Sequence, residues 1–173
     1  MGLALPVAAM TFIVALSNYW VQFPINDWLT WGALTFPVAF LVTDLTNRAC
    51  GPGKTRRVVY AGFAIAVVLS YILVDARIAL ASGTAFLVGQ LSDVFVFDRL
   101  RDRPWWQAPL SSSAIASTID TALFFSLAFA GTAVPWVTLA VGDLFVKFVV
   151  AACMLVPFRM LLSLVRPMAA PAD

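Results

Sequence analysis

The chain contains no histidine. That absence excludes imidazole ligation of haem, most zinc sites and any catalytic triad built on an imidazole base. Cysteine is scarce: only Cys50 and Cys153 occur. Cys50 stands among basic residues expected to face a reducing cytoplasm, so no disulfide is expected. Cys153 is expected to serve helix packing. Charge is scarce as well, at 12% of residues with a net charge of +2. No Lys or Arg precedes Arg48. The amino terminus therefore lacks the basic region of a secretory signal, and the first apolar stretch reads as a retained helix. Met1 to Pro6 also lacks the hydroxyl residue of a myristoylation signal. No low-complexity segment or internal repeat is evident.

Apolar residues, in contrast, are abundant. They make up 62% of the 173 residues, and the mean hydropathy is +0.93. Soluble domains are nearer 45–50% apolar. At ~20 residues per span with short loops, the length allows about six membrane spans and no second domain. The expected fold is all-α: a polytopic membrane protein, 1–173 forming one transmembrane domain.

The expected spans are about Leu3–Trp20, Trp31–Thr46, Val58–Val74, Ile78–Phe97, Ser111–Ala130 and Val134–Leu164, the last kinked or ended near Pro157. Trp28 and Trp31 mark interface depth before the second. Basic residues fall in alternate connections. Arg48, Lys54, Arg56 and Arg57 lie between spans 2 and 3, Arg99, Arg101 and Arg103 between 4 and 5, and Arg159 and Arg166 at the end. The opposite connections carry only Arg77, beside Asp75. By the positive-inside rule, both termini are expected in the cytoplasm, which requires an even number of spans. The expected location is the bacterial inner membrane, crossed several times.

Polar groups recur inside these spans. Asp44, Asp93, Asp120 and Asp143 are four of the nine acidic residues. A carboxylate at the bilayer centre costs at least roughly 2.5–3.5 kcal/mol on insertion scales. Asp44 and Arg48, four apart with Asn47 beside them, can pair on one helix face. That pair is either a topology-fixing interface contact or part of a site. Ala81, Ala85 and Gly89 recur every four residues and allow close helix approach; Gln90 and Asp93 continue that face toward protein or a cavity. Ser113, Ser117 and Asp120 share another face, with Thr121 beside them and Phe124 and Phe125 beyond. Asp120 has no basic residue within a turn of its own helix, so it either binds a ligand or carries a proton, or pairs with another helix. Asp143 and Lys147 are placed to pair at i,i+4, although Lys147 could instead face Asp120 or Asp93. Asn18 and Gln22, interleaved with aromatics, suit a planar heterocycle or an ordinary interfacial belt.

Three motifs fail. Gly51-Pro52-Gly53-Lys54-Thr55 lacks the earlier glycine of a phosphate loop, where Arg48 stands, and Pro52 removes a backbone donor. Ala140-Val141-Gly142-Asp143 lacks the first glycine of the intramembrane aspartyl protease motif, and no Tyr-Asp dipeptide supplies a second carboxylate. Ser111-Ser112-Ser113 has no histidine partner and reads as a helix start, its hydroxyls able to cap free N–H groups.

Longer stretches resemble one family. Thr35-Phe36-Pro37-Val38-Ala39-Phe40-Leu41-Val42-Thr43-Asp44-Leu45-Thr46-Asn47-Arg48 is similar to the second-span signature of the queuosine precursor transporters, also called the vitamin uptake transporter family. Ala81-Ser82 through Gln90-Leu91-Ser92-Asp93-Val94-Phe95-Val96-Phe97 is similar as well. So are Trp105-Trp106 through Ser111-Ser112, then Ile119-Asp120-Thr121 and Phe124-Phe125.

The resemblance implies a six-helix inner-membrane importer of 7-deazaguanine precursors of queuosine, notably 7-cyano-7-deazaguanine, in support of tRNA modification. The missing histidine, metal motif and paired catalytic aspartates argue against enzymatic activity, and no cofactor or metal is expected. The implied partners are the small-molecule base and the lipid bilayer, with no nucleic acid; the oligomeric state, a homo-oligomer included, stays open. Asp44, Asn47, Arg48, Gln90, Asp93 and Asp120 carry over by motif. Such a base shows N1–H and N2–H₂ donors and an O6 acceptor. A carboxylate can accept both donors, an amide can serve O6 or the nitrile, and an aromatic ring can stack. Asp120 is the first expectation for the donor edge and Asp93 the second. Asn18, Gln22, Asp44, Asn47, Ser117 and Phe124 complete the expected substrate site, with Arg48, Asp143 and Lys147 as ion pairs or coupling groups. Alternatives are a substrate-binding subunit for a separate ATPase module and, from another class, an intramembrane enzyme.

Overall fold

A computed structural model describes residues 2–20, 23–26, 29–73 and 76–165. Gln22, Trp28, Asp75 and Arg166, and the side chain of Asn18, lie outside what is described. The described elements are α1 (Ala4–Trp20), β1 (Pro24–Asn26), β2 (Leu29–Thr30), α2 (Trp31–Thr35), α3 (Val38–Cys50), α4 (Pro52–Leu73), α5 (Ala76–Arg99), α6 (Gln107–Phe129) and α7 (Trp136–Leu161). The strands form a small antiparallel hairpin between α1 and α2, with an irregular register between Pro24 and Asn26. Sequence reading placed only a connection there.

The helices account for most of the expected spans, with local differences. The second span is broken into α2 and α3. Pro37 has no N–H to continue the ladder, and the chain re-enters a helix through Phe40 N–H to Pro37 O at 3.1 Å. Between α3 and α4 the expected loop shrinks to Gly51. Its φ of 78° is in the left-handed region that glycine adopts without strain, and Pro52 suits the first helical position. Gly51 N–H closes on Asn47 O at 2.9 Å, and Thr55 Oγ1 donates to Gly51 O at 2.8 Å. Lys54, Arg56 and Arg57 therefore start α4, while Arg48 and Cys50 end α3. Likewise α6 begins at Gln107, so the serine run lies inside the helix rather than at its cap. Helix α7 continues through Pro157 to Leu161.

Three of the described helices, α5, α6 and α7, are long and apolar enough to cross a membrane. The outward surface supports a lipid environment. Val137, Val141, Phe145, Val149, Val156 and Met160 are all exposed on α7, a density of apolar surface that water would penalise. Cys153 is exposed on the same helix rather than packed inside, and both cysteines are free.

The interior is held by close helix contacts. Met10 and Val14 of α1 pack with Ala39, Val58, Val59, Phe86 and Val94. Phe97, Ala108 and Phe158 form a second cluster. Helices α5 and α6 meet at Gly89, where an added Cβ would lie 3.1 Å from Asp120 Cβ and 3.5 Å from Ala116 O. Ala81 and Ala85 are buried on the same stripe, as small-residue spacing leads one to expect. Arg77 closes the far end of this helix pair: its guanidinium donates to Leu127 O at 2.9 Å and Ala130 O at 2.6 Å, carbonyls that the end of α6 leaves without intrahelical donors.

Helices α1 and α4 touch at Gly62. A Cβ there would sit 2.6 Å from Met10 Cγ. Gly62→Val should therefore cost about 1–3 kcal/mol of stability through overpacking. Its thermal unfolding in detergent should shift downward, and adding Met10→Ala should recover part of the shift; equal midpoints for native and Gly62→Val protein would refute the contact.

Candidate functional site

Helices α3, α5, α6 and α7 bring buried polar side chains together in the apolar interior. Thr43, Asp44 and Asn47 come from α3, Gln90 and Asp93 from α5, Ser112, Ser113, Ser117, Asp120 and Thr121 from α6, and Lys147 from α7. Buried polar atoms need partners to offset lost hydration. The partners found divide these residues into two groups of different character.

The first group is closed. Lys147 Nζ lies 2.8 Å from Asp120 Oδ2 and 2.7 Å from Asp143 Oδ2. It also donates to Thr121 Oγ1 at 3.0 Å, and Thr121 Oγ1 donates to Asp143 Oδ2 at 2.8 Å. An ammonium has three hydrogens, and each has a destination here. Phe36, in the break between α2 and α3, covers the ammonium at 5.4 Å. Lys147 thus joins the carboxylate on its own helix and also the one on α6. Asp120, the first expectation for a ligand contact, is held by a cation.

The second group is open. Thr43 Oγ1 donates to Gln90 Oε1 in a short oxygen–oxygen contact. Thr43 Oγ1 also donates to Ala39 O at 3.0 Å, and Gln90 Nε2 is buried with no partner. Both carboxylate oxygens of Asp93, and Ser117 Oγ, are likewise buried and unpartnered. Asp44 Oδ1 accepts from Ser112 Oγ at 3.2 Å. Asp44 and Asp93 lie within side-chain reach of each other, with Ser112 close to both carboxylates. Among the described residues neither carboxylate has a salt-bridge partner. The expected Asp44–Arg48 pair is not made: Arg48 Nε is buried with no hydrogen-bond partner, and the Arg48 backbone carbonyl accepts from Arg101 at 3.5 Å.

Asn47 has a structural task. Its Nδ2 donates to Val94 O at 3.0 Å, and its Oδ1 accepts from Arg101 Nη2 at 2.7 Å. Arg101 also reaches Asn47 O at 3.0 Å and Asp98 at 2.8 Å. The cluster clamps the end of α3 to the end of α5. Phe124 stacks edge-on with Phe125 and Phe129, at 5.2 and 6.0 Å between ring centres. Sequence reading missed Thr43, Ser112 and Phe36 as contributors. Ser112 carried a signal, since Ser113 and Ser117 beside it already marked the polar face. Phe36 carried none, because its contact crosses between distant segments.

The site is shut. The cavity beside Asp44, Pro109 and Ser113 measures about 10 Å³, room for about one water at most. A larger apolar groove of about 400 Å³ lies on the outer side of α5 and α6, lined by Val88, Leu91, Phe95, Ile115 and others. Among the described residues no three His, Cys, Asp or Glu side chains converge as a metal centre requires.

Removing the shared ammonium should expose two buried charges. Lys147→Met is expected to cost roughly 3–5 kcal/mol, read as lower yield and a lower melting midpoint in detergent. Combining it with Asp120→Asn and Asp143→Asn should restore most of that loss. A single Lys147→Met protein as stable as the native one would contradict the network.

Comparison with known proteins comes last. Residues 30–76 and 74–162 match the family described as "Putative vitamin uptake transporter". The chain is 37% identical to the "Probable queuosine precursor transporter" of Haemophilus influenzae, over 84% of this chain and 80% of that one. It is 35% identical to the "Queuosine precursor transporter" of Escherichia coli, over 84% and 79%. A "Probable queuosine precursor transporter" of Bacillus subtilis is 26% identical over 70% and 66%. No solved structure matches. With most of its length matched by the family and by relatives at 35–37% identity, the chain belongs to the vitamin uptake transporter family.

Proposed function

We propose that the protein imports a queuosine precursor, a 7-deazaguanine base such as 7-cyano-7-deazaguanine, across the bacterial inner membrane. One observation carries this reading: Asp93, Gln90 and Ser117 present unpartnered polar atoms in an apolar bundle. Such atoms are costly unless something serves them. A flat base rich in donors and acceptors does so. The names of the relatives supply the substrate class. The proposed site is Gln90, Asp93, Asp44, Ser112 and Ser117, reached between α3, α5 and α6. The cavity beside Asp44 is far smaller than a ring, so passage requires these helices to part, on one side at a time.

The six proposed spans are α1, the α2–α3 pair, α4, α5, α6 and α7, with both termini in the cytoplasm. The basic residues at the ends of α3, α5 and α7 and the start of α4 orient the chain. Alkaline phosphatase fused after Gly131 should be active, and after Lys54 inactive; the reverse pattern would overturn the orientation.

The function is tested in a cell that cannot make the precursor. With low external 7-cyano-7-deazaguanine, tRNA queuosine should depend on this gene. Asp44→Asn should leave less than about a tenth of the uptake rate, in line with loss of a buried charge-assisted contact. Equal queuosine content with and without the gene would sink the proposal.

A further inference from the structure

We propose that Asp93 and Gln90 form the element that reads the ring: the two α5 side chains recognise an acceptor–donor–donor edge and reject rings with any other order. This rests on the function proposed above and specifies how its site selects a substrate.

The candidates are separated by what each group has left to offer. Asp120 is paired with Lys147. Asp44 already takes a hydrogen from Ser112. Asp93 keeps both carboxylate oxygens, fully buried and unpartnered. A carboxylate with two free oxygens accepts two adjacent N–H donors at once. Gln90 lies one turn earlier and is also fully buried. Thr43 Oγ1, which also reaches Ala39 O at 3.0 Å, lies against its Oε1, and the end left without a partner is the NH₂, a pure donor. Residues three apart on a helix lie side by side, ~5–6 Å between Cβ atoms, a spacing that suits the edge of one heterocycle. The result is a donor beside a double acceptor.

Only certain rings complement that order. A guanine-type edge presents O6 as acceptor, then N1–H and the 2-amino group as donors. O6 takes the Gln90 hydrogen, and Asp93 accepts from N1–H and the amine. A xanthine-type edge replaces the amine by a carbonyl, which would face the Asp93 carboxylate, oxygen against oxygen. A hypoxanthine-type edge leaves one Asp93 oxygen buried and unserved. An adenine-type edge opposes its amine to the Gln90 NH₂. Rejection of this kind is strong because the site's own buried groups go unpaired.

The logic is reversible, and that supplies the test. Asp93→Asn exchanges one acceptor for a donor at nearly constant shape. Its amide matches the xanthine-type edge, accepting from N1–H and donating to the second carbonyl. Binding is measured on full-length protein in nanodiscs, using 7-deazaguanine and 7-deazaxanthine. Native protein is expected to prefer 7-deazaguanine by about 100-fold or more. D93N should lose most of that affinity and bind 7-deazaxanthine at least about tenfold more tightly than native protein does. A folded D93N that keeps the native preference, or binds neither ring, overturns the assignment.

A second variant covers the case in which D93N does not fold. Gln90→Leu should weaken 7-deazaguanine while leaving the weak binding of 7-deazaadenine, whose 6-amine the Gln90 NH₂ opposes, no weaker, so that the preference between the two rings shrinks at least about tenfold. Equal weakening of both rings would overturn the role of Gln90, since a merely structural defect moves both alike. Native protein that binds none of these rings would instead contradict the proposed function itself, which keeps the two failures distinct.

Discussion

A carboxylate in an apolar bundle needs hydrogens, and the arrangement of donors around four of them organises this protein. Two, Asp120 and Asp143, are supplied by one ammonium, Lys147, with Thr121 relaying a further hydroxyl. Asp44 receives the Ser112 hydroxyl. Asp93 receives nothing that meets hydrogen-bond geometry among the described residues. The same physical demand therefore yields a staple in one place and a vacancy for donors a few residues away. The staple ties α6 to α7, and Gly89 lets α5 lie directly against Asp120. The open groups on α5 thus adjoin the rigid part of the interior, which holds their positions.

Closure and exposure divide along the same line. The outer helix α7 buries little beyond Lys147, Ala151 and Phe158 and turns its apolar side chains outward. The ends of α3 and α5 are clamped by Arg101 and Asn47, and the opposite end of the α5–α6 pair is clasped by Arg77. Between the two clamps the cavity holds no more than about one water. The helix is broken between these clamps and the hairpin, at Pro37 in the α2–α3 segment.

Much of this was legible in the sequence. The hydrophobic period located the long helices, and the small residues Ala81, Ala85 and Gly89 marked a close contact that the fold contains. The i,i+4 spacing of Asp143 and Lys147 announced their pair. Other features were hidden because they depend on contacts between helices. Nothing local distinguishes Asp120, which Lys147 satisfies from another helix, from Asp93, which no side chain satisfies. Spacing suggested that Asp44 would use Arg48, yet tertiary packing turned it to Ser112 instead. Pro37 could be read as a restriction, but the division of one span into α2 and α3, and the hairpin before it, required the fold.

The account stands on Asp93 offering both oxygens to a ring, and a structure of the protein with 7-cyano-7-deazaguanine bound would test that most directly. The expected result places the base against α5, with N1 and the 2-amino nitrogen within about 3 Å of the Asp93 oxygens, O6 near Gln90 Nε2, and the Lys147 staple intact. A base seated away from Asp93, or one that displaces Lys147 to reach Asp120, would contradict it.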